Sequence, residues 1–168
     1  MFQHILLPTD GSQLSRDTAE RAVAFAKAAR ARLTALYARP VGQMDNYGDV
    51  VQPAALDRLV NNSEGKSKEY LGFIKKLCKD AGVECNALSV PNDSPWEAII
   101  DVAESQECDL IFMSKHGRGG LSSLLLGSET YRVLTHSSIP VLVYRPSDID
   151  AGRRKAREKA REKERKRA

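Results

Sequence analysis

Two glycine-bearing stretches carry residue types suited to holding an anion. The first, Pro8-Thr9-Asp10-Gly11-Ser12, follows a short apolar run. The second runs from Met113 to Thr130 and reads Met-Ser-Lys-His-Gly-Arg-Gly-Gly-Leu-Ser-Ser-Leu-Leu-Leu-Gly-Ser-Glu-Thr. Glycines at 117, 119 and 120 open backbone conformations closed to other residues and leave room for a ligand against the main chain. Gly127-Ser128 then begins a helical pattern, whose first N–H groups and positive dipole end suit a phosphate. The same residues also read as plain turn chemistry, and Asp10 with Ser12 can cap the helix that follows.

Other chemistry-bearing residues offer less. His116 is a lone histidine in a glycine-rich stretch with no carboxylate partner in the sequence, so it shapes the turn rather than serving as a general base. Lys115 and Arg118 read either as solvated charges or as contacts to an anion. Gly65-Lys66-Ser67 resembles the end of a phosphate-binding P-loop, but residue 60 is Val where that motif requires Gly, and a helix precedes it. Trp96 and Phe112 read as packing residues, and His4 and His136 belong to no metal constellation. Cys78, Cys85 and Cys108 are odd in number and lack metal-ligand spacing, so reduced, mostly buried thiols are expected.

The elements that must position the two stretches alternate regularly. Residues 3 to 8 form an apolar strand, and Ser12 to Arg30 is an alanine-rich helix with Leu14, Ala19, Ala22, Val23, Phe25, Ala26 and Ala29 near helical spacing. Leu33 to Ala38 is the next strand. Val41 to Pro53 reads as a loop beside its end. A helix over residues 54 to 81 is weakened at Asn61-Asn62-Ser63-Glu64-Gly65 and stopped at Gly82.

Glu84 to Val90 is a third strand, and Ser94-Pro95-Trp96-Glu97 reads as a helix start in which Ser94 caps, Pro95 takes the first turn and Glu97 reaches back. Asp109 to Met113 is nearly all apolar, as in a central parallel strand. A helix over residues 128 to 136 carries Tyr131, Val133 and Leu134, and Ile139 to Tyr144 is the last strand. Strict alternation of strand and helix implies a parallel sheet covered on both faces, with ligands outside the carboxyl ends of its strands. In strand order 3-2-1-4-5, strands one and four are neighbours, and the two stretches face each other.

Composition sets the frame. The 168 residues are 42% hydrophobic and 29% charged, ordinary for one globular domain. No apolar run approaches the roughly 20 residues of a membrane helix, and the N-terminus lacks signal-peptide character, so a cytoplasmic protein is expected. The net charge of +4 belongs to one end: residues 151 to 168 hold ten Lys or Arg against three Glu, which leaves 16 basic against 19 acidic residues in the first 150. That tail has no apolar face. It reads as a solvated, helix-prone extension or as an attachment to an anionic partner.

Together, Ile5-Leu6-Leu7-Pro8-Thr9-Asp10-Gly11-Ser12, His116-Gly117, nine residues, Gly127-Ser128, and Ile139-Pro140-Val141-Leu142-Val143 resemble the universal stress protein family, in its ATP-binding subgroup. The likeness covers residues 1 to 146, with the basic tail 147 to 168 outside it. It implies an α/β fold, a Rossmann-like three-layer α/β/α domain with a five-stranded parallel sheet of order 3-2-1-4-5. The family's ATP motif is Gly, two residues, Gly, nine residues, Gly, then Ser or Thr. Ser114 stands where its first glycine belongs.

The resemblance implies that Asp10 lies near a ribose and Val41 near adenine. It implies too that Gly117, Gly127, Ser128 and the Glu129 backbone surround the phosphates, with Mg2+ or Mn2+ held through phosphate oxygens rather than by side chains. Ser114 would approach the ribose through its main chain. Pro8 can flank the base and Arg118 can reach the terminal phosphate, while Thr9, Met113 and His116 complete the candidate set. No catalytic residue is assigned, and at most slow hydrolysis is expected. The family also implies a homodimer paired through Val141, Leu142, Val143 and Tyr144. The alternative is a dimeric interaction module without nucleotide, whose tail recruits an anionic partner.

Overall fold

A computed structural model describes residues 1–40, 53–115 and 126–145, with the side chains of residues 53–62 left aside. The expected loop after the second strand, Val41, His116, Gly117, Arg118 and the basic tail lie outside the described residues. The elements run β1 (His4–Pro8), α1 (Gln13–Ala29), β2 (Arg32–Arg39), α2 (Pro53–Ala81), β3 (Cys85–Pro91), α3 (Pro95–Ser105), β4 (Leu110–Ser114), α4 (Ser128–His136) and β5 (Val141–Tyr144). All strand pairings are parallel, in the order β3-β2-β1-β4-β5. Both the alternation and the strand order expected from the sequence are therefore found.

The central strands β1 and β4 are nearly all apolar because both of their faces are covered. Successive side chains alternate between faces, so one strand feeds two cores. Ile5 and Leu7 of β1, with Leu110 and Phe112 of β4, pack under α1 and α2 with Ala22, Ala26, Ile74 and Cys78. Leu6, Ile111 and Met113 point the other way, against Ile99, Val102 and Val133 of α3 and α4. Of the apolar residues carried by the helix over residues 128 to 136, Tyr131 and Leu134 are 59% and 42% exposed. This short helix buries only Thr130 and Val133.

Three helices end in the same way. The N–H of Ala31 bonds to the carbonyl of Ala26 and that of Arg30 to Lys27; Val83 and Gly82 do the same with Cys78 and Lys79, and Cys108 and Glu107 with Ala103 and Glu104. This is the Schellman arrangement, which needs a left-handed residue at its pivot. Gly82 has φ 71°, as its position in the sequence suggested, but Arg30 (57°) and Glu107 (53°) take the same conformation without glycine's freedom. The expected weak point of α2 does not break it: the helix is continuous from Pro53 to Ala81. Gly65 is exposed there, and its helix penalty of about 1 kcal/mol is small against the packing of the turns beyond it.

Asp109 ties β1 to β4. Its carboxylate accepts from the N–H groups of Gln3 (2.7 Å) and His4 (3.0 Å), while its own N–H donates to the His4 carbonyl (2.9 Å). The buried His4 ring shares a 2.8 Å hydrogen bond with Thr34 of β2. Burial, and next the nearby Arg32 charge, hold the pKa of His4 below its usual value.

Candidate functional site

In a sheet of this order the chain winds outward in opposite directions from β1 and β4, which opens a crevice at their carboxyl ends. The register Ile5↔Leu110 and Leu6↔Ile111 sets the two strands side by side. The two stretches singled out in the sequence both leave from this crevice. Pro8, Thr9 and Asp10 come from one side, Met113 and Ser114 from the other, and Gly127, Ser128 and Glu129 open α4 beyond.

The β1–α1 turn is held by its own side chains. Thr9 Oγ1 shares a 2.7 Å hydrogen bond with Ser15 Oγ and accepts from the Gly11 N–H (3.2 Å). Asp10 Oδ1 accepts from the Ser12 N–H (3.0 Å), and Ser12 Oγ accepts from the Ser15 N–H (3.2 Å) as the N-cap of α1. The expected capping pair of Asp10 and Ser12 is thus in place, and it fixes the carboxylate at the strand end. Gly11 has φ 76°, and a Cβ there would fall 2.3 Å from the ring of Tyr70 on α2. Tyr70 in turn meets Tyr37 of β2 edge to face at 5.3 Å. The seat of Tyr70 on the turn depends on how α2 crosses α1, which local periodicity does not encode.

The other side is fastened through its backbone. Lys115 N–H donates to the Tyr144 carbonyl (3.0 Å), Gly127 N–H donates to the Lys115 carbonyl (2.9 Å), and Thr130 Oγ1 donates to the Ser114 carbonyl (3.0 Å). The start of α4 is thereby pinned to the end of β4. Met113 is buried in the core beneath α3 and α4, so its side chain belongs to the core rather than to the crevice.

Gly127 is the N-cap of α4 and has φ −63°, ψ 149°, a conformation open to any residue. Glycine is therefore not demanded there by the backbone, and it brings no side chain to cap the helix. Serine, asparagine or aspartate would cap more strongly.

Glu129 has a function that the sequence reading missed. Its Oε2 accepts from the Trp96 N–H (3.0 Å), so α4 supplies the carboxylate at the start of α3. The expected capping box does not form: Ser94 makes no side-chain cap bond, and its N–H donates to Asn92 Oδ1 (2.7 Å). Pro95 has no N–H, which makes Trp96 the first donor of α3, and a negative charge there suits the helix dipole. Trp96 itself packs beside His136, with ring centroids 4.9 Å apart, as a packing residue. Among the described residues, no three of His, Cys, Asp or Glu gather to hold a metal, and no described helix is long and apolar enough to cross a membrane.

Residues 1–145 match the family model described as the universal stress protein family. A universal stress protein of Thermus aquaticus is 34% identical over 146 residues, covering 86% of this chain and all of that one. Among solved structures, the chain is similar to MJ0577, whose structure was used to assign its biochemical function, with TM-score 0.73 and 28% identity over 88% of this chain and 99% of that one. A universal stress protein solved in complex with cAMP shares the fold at TM-score 0.65 and 23% identity, over 87% and 99% of the two chains. An Arabidopsis thaliana family member solved with AMP bound does so at 0.62 and 15%, over 87% and 94%.

Proposed function

The chain belongs to the universal stress protein family, and we propose that it is an ATP-binding member acting as a nucleotide-dependent regulator of a stress response. The observation that carries this reading is the start of α4. A helix N-terminus is fastened to the end of β4 at the crevice and capped by a glycine that the backbone does not require. Its first amides and dipole end fit phosphate oxygens. Asp10, fixed at the end of β1, fits ribose hydroxyls as acceptor. The adenine nucleotides carried by the cAMP and AMP complexes of proteins with this fold support the same ligand class.

In this reading Pro8, Thr9, Val41, Met113, Ser114, His116, Gly117 and Arg118 complete the walls, Met113 through its main chain. Mg2+ or Mn2+ would be held through the phosphates. The Glu129 carboxylate is turned to α3, so Glu129 contributes its backbone. The nucleotide acts as a ligand that favours one conformation, with at most slow hydrolysis, in a cytoplasmic protein. Two copies would pair along β5, Val141 to Tyr144, at the end of the sheet order, where an uncovered edge invites another strand.

Ser114, standing at the first motif glycine, favours a second reading: a dimeric interaction module without nucleotide, whose basic tail recruits an anionic partner. Its carbonyl is already engaged by Thr130. Identifying any nucleotide released on denaturation, and titrating ATP with magnesium against the native protein, separates the two. Saturable binding supports the first reading. Absence of both signals overturns it in favour of the second.

A further inference from the structure

One turn of α2 grips the start of α1. Phe73 lies three residues after Tyr70 and four after Glu69, so the three share one side of the helix. The Glu69 carboxylate accepts from Arg16 Nη2 at 2.6 Å, and the Arg16 guanidinium lies over the Phe73 ring, 5.0 Å from its centroid. Tyr70 covers Gly11: a Cβ built there would fall 2.3 Å from Cε1 and Cζ of the ring and 2.5 Å from Cδ1. Behind Tyr70 stands the buried Tyr37 of β2, which meets it edge to face. The same strand holds the end of β1, because the Thr9 N–H donates to the Leu36 carbonyl at 2.8 Å.

Gly11 is where this grip matters. Glycine takes positive and negative φ about equally, so nothing in Gly11 itself holds its φ at 76°. Thr9 accepts from the Gly11 N–H and Asp10 accepts from the Ser12 N–H, but both bonds are local to the turn and move with it. They set its shape. Tyr70 comes from another helix and is braced by the sheet, so its ring sets where that shape stands relative to the crevice.

We propose that Tyr70 is a positioning residue for the candidate nucleotide site: its ring, seated on Gly11 and braced by Tyr37, holds the Asp10 carboxylate where it meets the ribose hydroxyls. The proposal rests on the nucleotide reading above and adds to it a residue that touches no ligand. Asp10 precedes Gly11 directly and is bonded across it to Ser12, so any change of φ at Gly11 swings the carboxylate. Hydrogen-bond lengths span only about half an ångström, so even a small swing breaks the contact.

The test titrates the full-length protein, with magnesium present, against ATP and against 2′,3′-dideoxy-ATP, which lacks both ribose hydroxyls. The unaltered protein should prefer ATP by about 10-fold, the worth of a hydrogen bond to a charged acceptor. Tyr70→Leu should cut that preference to about twofold or less by weakening ATP, with dideoxy-ATP nearly unchanged. Tyr70→Phe keeps Cδ1, Cε1 and Cζ over Gly11 and should keep the preference. A Tyr70→Leu protein that retains the preference, or that weakens both nucleotides equally, overturns the proposal. Amide exchange without nucleotide supplies a second readout. The Ser12 amide should exchange at least about 10-fold faster in Tyr70→Leu than in Tyr70→Phe, while the Tyr131 amide, bonded to the Gly127 carbonyl in α4, should not change. Failure of the nucleotide reading looks different: the unaltered protein then binds neither nucleotide, the ribose half of the proposal falls with that reading, and an unchanged Ser12 amide overturns the rest.

Discussion

The starts of α1 and α4 sit on neighbouring strands of one sheet and face the same crevice, but they are finished in opposite ways. At α1, Thr9, Asp10, Ser12 and Ser15 close a set of side-chain bonds around the turn, and Ser12 caps the helix. At α4, the cap is Gly127, and the helix is placed by backbone bonds from behind. A turn that satisfies its own donors holds its shape without a ligand. A helix start fastened behind and left without a capping side chain is suited to receiving one. In the proposed reading one side of the crevice is a fixed wall and the other a receptor, and each can be altered separately.

The largest expected effect is on the receptor side. Gly127→Val keeps an allowed backbone conformation but in the proposed reading puts a branched side chain in the phosphate space, so ATP affinity should fall by about 100-fold or more, near 2.7 kcal/mol, while stability falls only by the poorer N-cap, about 1 kcal/mol. Retained affinity in a calorimetric titration would mean that the phosphates lie elsewhere.

On the wall side, Gly11→Ala combines φ 76° with a Cβ only 2.3 Å from Tyr70. It should destabilise the fold by about 1 to 3 kcal/mol, read as a lowered urea midpoint. A companion Tyr70→Ala should relieve the clash but not the backbone strain; full recovery in the double variant would count against the strain. Ser12→Ala should cost about 1 kcal/mol of stability and leave ATP affinity within about twofold. A large affinity loss there would erase the distinction between wall and receptor.

The smallest effect is expected for Glu129→Gln, which removes a charge from the start of α3. Stability should fall by about 0.3 to 1 kcal/mol, less at high salt, with nucleotide binding nearly intact because in the proposed reading only the Glu129 backbone would face the phosphates. An affinity loss exceeding the stability loss would place the carboxylate in the site after all.

What was legible in the sequence was what depends on near neighbours. The Gly82 stop, the Ser12 cap and the apolar runs of β1 and β4 follow from local propensity and spacing, and strict alternation supplied the parallel sheet. Long-range partners were not legible. Ser94 and Glu97 satisfied every local condition for a capping box, yet the carboxylate at that helix start comes from Glu129, 33 residues away. Tyr131 and Leu134 sat at apolar helical spacing, but α4 is nine residues long and presents only a narrow stripe to the sheet. Of the candidate site, Pro8, Thr9, Asp10, Ser114, Gly127, Ser128 and Glu129 lie around the carboxyl ends of β1 and β4, whereas Met113 turns its side chain into the core.

The bond from the Gly127 N–H to the Lys115 carbonyl has an evolutionary corollary. It ties Gly127 directly to Lys115, so the sheet and α4 keep their relation whatever sequence joins residues 115 and 127. Insertions, deletions or wholesale replacement of that interval should be inherited without cost to the framework. The interval can therefore be exchanged as a cassette, and a graft from one family member into another should fold.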